Sequence, residues 1–497
     1  MKIAIDKMKN LYLTGIIIFI SAAASGQHNN LTRSAMLEDL DSLEAKIISY
    51  GSYIPLLEER TGSSVTAKID ELRKEVSRIN TTFDFTNLIR RGLNILNDAH
   101  TGITDKSSVK WFTTRSYLRS VSDIMLSDTL YADYYHNCIM DSVLRLNRSG
   151  IRAKYVNGKY YNARPFTYEG KQIDKGEEIK FINRREINSF VNELYDQMFF
   201  LMWDPYLQQW YSDYFMLALP LLGYNTYTLT IGDREVTINS RQTMDNLEKE
   251  RFALQAPPQV LTLSNDILYI YMPAMMNAGW YMNEIRKQYS DKTGKIIFDL
   301  RGNAGGDDSV WQKILASVLD QPLTYQYKVG MNYNPELERA VSSFGTVKTD
   351  PWKMFVDAQR VIPADENSLK FSGHIYILQD KYTFSAASAF ISAARQNPQR
   401  FTILGERSAC MAGYTFPPLL FKLNNSGIAF KLAFSYDATG KTENPYNDNV
   451  QIEIRENIKD YLDKIYTCDP HSKAYLETVD KYINYIRNIR PESERRR

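Results

Sequence analysis

Apolar residues recur along this chain with two different periods, and the change from one to the other divides it. Near the amino terminus Met36, Leu40, Leu43 and Ile47 fall on one helical stripe, and Phe85, Leu88, Ile89 and Leu96 on another, which predicts a helical unit. Residues 106 to about 245 are rich in Tyr and Phe, and their pattern reads as short strands and turns, with a helix over 187–199. From about Val260 strand and helix alternate. Strands are expected over 267–272, 295–300, 375–378, 401–404 and 427–434, and helices over 279–289, 311–318 and from 386 onward. Such alternation implies right-handed crossovers and a mainly parallel sheet covered on both faces. The interval 321–373 carries few regular signals and reads as an insertion or lid, and the chain turns helical again from Asn457.

In sheets of this kind ligands bind beyond the carboxyl ends of the strands. Two loops of unusual composition are expected there. One is Asp299-Leu300-Arg301-Gly302-Asn303-Ala304-Gly305-Gly306. The other is Thr383-Phe384-Ser385, between the strand at 375–378 and apolar positions 386, 389, 390 and 393 at helical spacing. A serine at a strand-to-helix joint holds its hydroxyl at the sheet edge beside free backbone N–H groups, the arrangement an acyl-transfer nucleophile requires. Serine is also a good helix cap, so Ser385 has a purely structural reading as well. Gly305 and Gly306 leave backbone N–H groups unobstructed, and Ala386 offers another directly after the serine. His100, in Asn97-Asp98-Ala99-His100-Thr101-Gly102, follows a predicted helix and stands next but one to an aspartate, as a general base with a fixed tautomer would.

Composition narrows the setting. Residues 1–26 have the order of a secretory signal peptide: Lys2, Lys7 and Lys9, an apolar run from Leu11 to Ala24, then Ala24-Ser25-Gly26. No integral membrane segment is expected after its removal. The whole chain has 60 Lys+Arg against 58 Asp+Glu. Without the leader, which holds three lysines and one aspartate, the balance is 57 against 57. A neutral chain whose one basic cluster is Arg495-Arg496-Arg497 does not suit nucleic acid. Three cysteines, Cys138, Cys410 and Cys468, do not make a disulfide framework, and no metal-binding spacing occurs among the five histidines. Neither a metal nor a cofactor is expected.

The order strand, DLRGNAGG, helix, long interval, strand, TFSAASAF, helix, strand, Gly405-Glu406 resembles the tail-specific or C-terminal-processing serine peptidases and their tricorn-core relatives. The resemblance implies an α/β, ClpP/crotonase-like core with a mainly parallel sheet, an N-terminal helical unit and a PDZ-like β-rich domain that presents an extended polypeptide substrate. The expected division is 1–26 signal peptide, 27–105 helical region ending in the His100 segment, 106–250 PDZ-like region, 251–456 peptidase core and 457–497 helical tail. Residues 176–183 look like a PDZ strand and turn, with Arg184 where a glycine is usual.

Carried over to this chain, Ser385 matches the family's nucleophile, and Gly306 and Ala386 match its oxyanion donors, with Gly305 beside them. One branch activates its serine with a lysine, but the matching run Gly405-Glu406-Arg407-Ser408-Ala409-Cys410-Met411 has methionine there, which accepts no proton. The tricorn-like branch uses a histidine and a downstream glutamate. His100 matches the first, with Ala99 in place of glycine. Glu443 matches the second, although the Gly and Pro of the family's pattern are missing around it. Glu406 is the competing carboxylate. The resemblance thus implies a serine endopeptidase acting through an acyl-enzyme on extracytoplasmic proteins or peptides, periplasmic or secreted in a Gram-negative bacterium. The departures at Ala99, Arg184 and Ser388 leave a second reading, an inactive peptide- or lipid-binding protein on the same scaffold. Oligomeric state and cleavage preference are not encoded legibly.

Overall fold

The computed structural model describes residues 31–51, 54–115, 117–123, 128–263, 266–409, 415–439 and 450–489. The expected signal segment, Cys410, Met411 and Glu443 lie outside them. Two compact units emerge, and neither is continuous in sequence. The first comprises Met1–Arg145, Asn332–Val341 and Pro417–Phe434, and the second Leu146–Met331, Ser342–Phe416 and Ser435–Arg497.

The first unit is helical, as the amino-terminal stripes predict. Met36, Leu40, Leu43 and Ile47 are all buried on the helix Arg33–Tyr50. The helix Thr82–Asn94 opens on a capping box in which Thr81 and Asp84 satisfy each other's backbone N–H groups. Helices continue past residue 105, through Lys106–Arg115 and Thr129–Leu146, where strands and turns were expected. The tyrosines of 129–146 suggest strand by composition. Yet Ala132, Tyr135, Ile139 and Val143 are the buried positions, a helical spacing that outweighs residue type. A small antiparallel sheet completes the unit: Gly102–Ile103 pairs with Ala429–Leu432, which pairs with Leu419–Lys422. Asp39, fully buried, accepts the backbone N–H groups of Asn425 (2.9 Å) and Ser426 (2.8 Å) and ties the first helix to that sheet's turn.

Although the strand expected over 427–434 belongs instead to the first unit's antiparallel sheet, the second unit holds the predicted parallel sheet. Its strands run in the order Gln259–Leu263, Ile267–Tyr271, Lys295–Asp299, His374–Gln379, Phe401–Gly405 and Ile452–Glu453, with the first pair antiparallel and the rest parallel. Alternate side chains serve opposite faces, so one face packs Tyr269, Ile297, Tyr376 and Leu404 against Tyr475, Leu476 and Ile483 of the carboxyl-terminal helices. On the helices Asp308–Val318 and Ala386–Arg395, Trp311 stacks on Phe390 (centroids 5.3 Å), which meets Phe298 of the sheet edge-on.

An antiparallel sheet precedes it, in the order Arg234–Asn239, Thr226–Ile231, Glu178–Ile182, Lys159–Asn162, Ala153–Val156. Within it Glu178–Ile182 turns back into Arg185–Glu186 through two residues, Asn183 (φ +48°) and Arg184 (φ +64°). Both are left-handed, as a type I′ turn requires, which is why glycine is usual at the second position.

The interval 321–373 is far more regular than its sequence suggests. Leu323–Asn332 and Lys353–Ile362 are ten-residue strands of a four-stranded sheet with Thr346–Thr349 and Ser435–Asp437. Leu323, Tyr325, Tyr327, Val329 and Met331 alternate inward in period two, with Gly330 buried as well near the strand's end. Pro351 lies in the turn between two of these strands and Pro335 opens the helix Pro335–Val341, so these residues do not mark an irregular lid. Among the described residues, no helix is long and apolar enough to cross a membrane.

Candidate active site

Lys295–Asp299 and His374–Gln379 are neighbouring parallel strands, paired as far as Asp299 and Leu378, so the loops that follow them leave the same end of the sheet side by side. Their contact is specified by side chains with little freedom. Asn303, fully buried, accepts the Gly305 N–H on Oδ1 (2.8 Å), donates from Nδ2 to the Met272 carbonyl (2.7 Å) and accepts the Phe384 N–H on its own carbonyl (2.9 Å). Asp380 answers from the other loop, where one carboxylate oxygen takes the Gly302 N–H (2.9 Å), the Tyr382 N–H (3.0 Å) and the Thr383 hydroxyl (3.1 Å). Burial raises the Asp380 carboxyl above its ordinary value, and these hydrogen bonds oppose that rise.

Ser385 sits at the apex. Its backbone is at φ +56°, ψ −127°, a conformation that costs a non-glycine residue on the order of 1–3 kcal/mol, and its side chain makes no capping bond to the helix it precedes. The reading of Ser385 as a cap alone is therefore set aside.

Gly305 (φ +101°) and Gly306 (φ +143°) run along the same turn. A Cβ on Gly305 would stand 2.5 Å from the Ser385 Cβ and 3.0 Å from the Ala386 nitrogen, and one on Gly306 would stand 2.4 Å from the Met275 carbonyl oxygen. Only glycine permits this approach. Met275 brackets Gly306 by accepting from Asp307 and donating to the Gly305 carbonyl, and among the described residues neither the Gly306 nor the Ala386 N–H donates a hydrogen bond. The structure thus brings Ser385, Gly305, Gly306 and Ala386 together.

His100 belongs to the first unit, at the end of the turn after the helix Thr82–Asn94. Asp98 Oδ1 accepts its backbone N–H at 2.5 Å, and the Asp98 carbonyl accepts that of Thr101. Burial, followed by the charge of Lys431, pushes the imidazole down to about 3, so it is neutral at physiological pH. Burial raises the Asp98 carboxyl to about 6 against the pull of those backbone bonds and Lys431.

Glu406 has a structural occupation: its Oε1 accepts the Glu456 N–H at 2.7 Å, and Glu456 pairs with Lys464. It lines a small open cleft together with Tyr155, Tyr206, Lys381, Arg407 and Arg455. Among the described residues no group of His, Cys, Asp and Glu is arranged to hold a metal ion. Sequence reading missed Asn303, Asp380 and Thr383, whose only signal is their place at strand ends beside the glycine loop.

Residues 266–454, which carry both loops, match Peptidase family S41. The chain carries a Peptidase family S41 domain. By this domain it is a serine-type peptidase, and the family's substrates are polypeptides. The chain is similar in fold to mature CPAF (13% identity, 88% of this chain and 97% of that one, TM-score 0.51). It is similar too to mature CPAF complexed with lactacystin (13%, 92% and 99%, TM-score 0.54). The photosystem II D1 C-terminal processing protease aligns over 85% of this chain and 93% of its own, at 13% identity and a TM-score of 0.37. No curated protein sequence matches the chain.

Proposed function

We propose that this S41 peptidase is an endopeptidase of extracytoplasmic proteins or peptides that works through an acyl-enzyme at Ser385. The observation that carries the reading is the serine itself: left-handed, uncapped, at the end of a central parallel strand, pressed against a glycine turn whose Gly306 N–H, like that of Ala386, has no described acceptor. Those two N–H groups are the donors for a developing oxyanion. His100 takes the Ser385 proton during attack on the peptide carbonyl and returns it to the leaving amine, and Glu443 stabilises the imidazolium. Both assignments rest on the resemblance of these segments to those of the tricorn-like branch, and the neutral imidazole of His100 has the protonation state a base needs.

The same reading takes the parallel sheet and its helices as a ClpP/crotonase-like core and the antiparallel sheet as PDZ-like. The amino-terminal pattern of lysines, apolar run and small residues supports export to the periplasm or medium. A fluorophosphonate probe tests the chemistry. Labelling of the purified protein should vanish in Ser385→Ala and fall sharply in His100→Ala. Lactacystin, present in the CPAF complex, is a second probe. A folded protein that takes no label would instead be a binding protein on this scaffold.

A further inference from the structure

The strand Ala153–Val156 is the last in its antiparallel sheet, yet all four of its residues are buried, and one of them is a lysine. Its open edge is closed by side chains. The Tyr155 N–H donates to Asp213 Oδ1 (2.6 Å), and the Tyr155 carbonyl accepts from Lys381 Nζ (2.8 Å). Lys154 reaches Asp213 Oδ2 (2.9 Å) and the Tyr382 hydroxyl (2.6 Å), and that hydroxyl donates to the same Asp213 oxygen. Lys154, Asp213 and Tyr382 therefore form a closed ring of hydrogen bonds, with the lysine and aspartate side chains 6% and 9% exposed. Burial alone would push the Asp213 carboxyl up, but Lys154, Lys381 and the Tyr382 hydroxyl hold it well below the usual carboxylate range.

Tyr382 lies three residues before Ser385 and is held at both ends. Its N–H is on Asp380, whose same oxygen holds the glycine loop, and its hydroxyl is on the ring above. We propose that Tyr382 is a positioning residue for Ser385, and that Lys154 and Asp213 anchor it, so that the antiparallel sheet fixes the placing of the nucleophile. The anchored segment, Asp380 to Phe384, is the one that must hold a strained serine beside Gly305, and a buried charged ring resists displacement better than an apolar contact that slides. Errors of about 1 Å in a reacting group cost roughly 100-fold in rate.

The inference rests on Ser385 being the nucleophile. Tyr382→Phe keeps the ring over which Lys154 and Lys381 lie at 4.9 and 5.4 Å and removes only the hydroxyl, and Lys154 and Asp213 remain paired. Its maximal fluorophosphonate labelling rate and kcat, per folded molecule, should fall about 10- to 100-fold with KM within about twofold. The control is Tyr466→Phe, which removes a tyrosine hydroxyl bonded to the Ala163 carbonyl (3.1 Å) elsewhere in the unit and should leave both rates unchanged. Asp213→Asn, which cannot accept from the Tyr382 hydroxyl in the same way, should lower kcat. The double variant should be no slower than the slower single one. A wild-type rate in Tyr382→Phe, an equal loss in the control, or a rise in KM alone would overturn the inference. Where either variant fails to fold, the other, normalised to its folded fraction, decides. Absence of label on the wild-type protein would instead bring down the peptidase reading at Ser385.

Discussion

Gly305 and Ser385 are so close that a single methyl group on the glycine would lie 2.5 Å from the serine Cβ. The glycine loop is therefore a wall of the site with no tolerance for a side chain. Gly305→Ala should leave the fold intact by circular dichroism and reduce kcat about 100- to 1,000-fold, the loss expected when oxyanion donors are displaced from their place. Steady-state kinetics on an unstructured protein substrate measure it.

The backbone of Ser385 predicts a stability effect independent of catalysis. At φ +56° a glycine is at ease where alanine and serine are strained. Ser385→Gly should therefore be more stable than Ser385→Ala by about 1 kcal/mol in urea unfolding, and neither should take the fluorophosphonate label.

The pair Asp98 and His100 should give opposing pH dependences. The imidazole, down to about 3 when folded, is harder to protonate than in the unfolded chain, so its contribution to stability is lost as pH falls below about 6.5. The Asp98 carboxyl, up at about 6, holds its proton longer when folded, so its contribution is lost as pH rises through that value. Asp98→Asn should consequently gain on the order of 2–3 kcal/mol at pH 7 and expose the decline on the acid side. If His100 is the base, kcat/KM should hold its plateau below pH 6.5. Urea titrations and rate profiles between pH 4 and 8 check both.

Arg184 occupies the second left-handed position of its turn, with its side chain 87% exposed. Arg184→Gly should stabilise the second unit by about 0.5–1 kcal/mol, read from the urea midpoint.

Much of this was readable in the chain itself, and the exceptions have physical causes. The parallel sheet was visible because its strands are buried on both faces and appear as apolar runs, and the serine and glycine loops because their composition departs from their surroundings. The helix Thr129–Leu146 was obscured by tyrosines that look like strand when counted and like helix when spaced. The strand Leu323–Asn332 was hidden by Pro322 before it and Gly330 within it, although its apolar positions alternate from Leu323 to Val329. Asn303, Asp380 and Tyr382 escaped notice because their importance lies in partners distant along the sequence, and no local pattern announces such partners.

The three-part make-up of the first unit has a consequence for synthesis. Asp39 finds its two partners only at Asn425 and Ser426, and Gly102–Ile103 finds its neighbouring strand only at Ala429–Leu432. A growing polypeptide thus carries its amino-terminal helices unfinished until residues 425–432 have been made, with a carboxylate and a strand edge awaiting completion. The native contacts of those early helices close only after residues far along the chain have emerged.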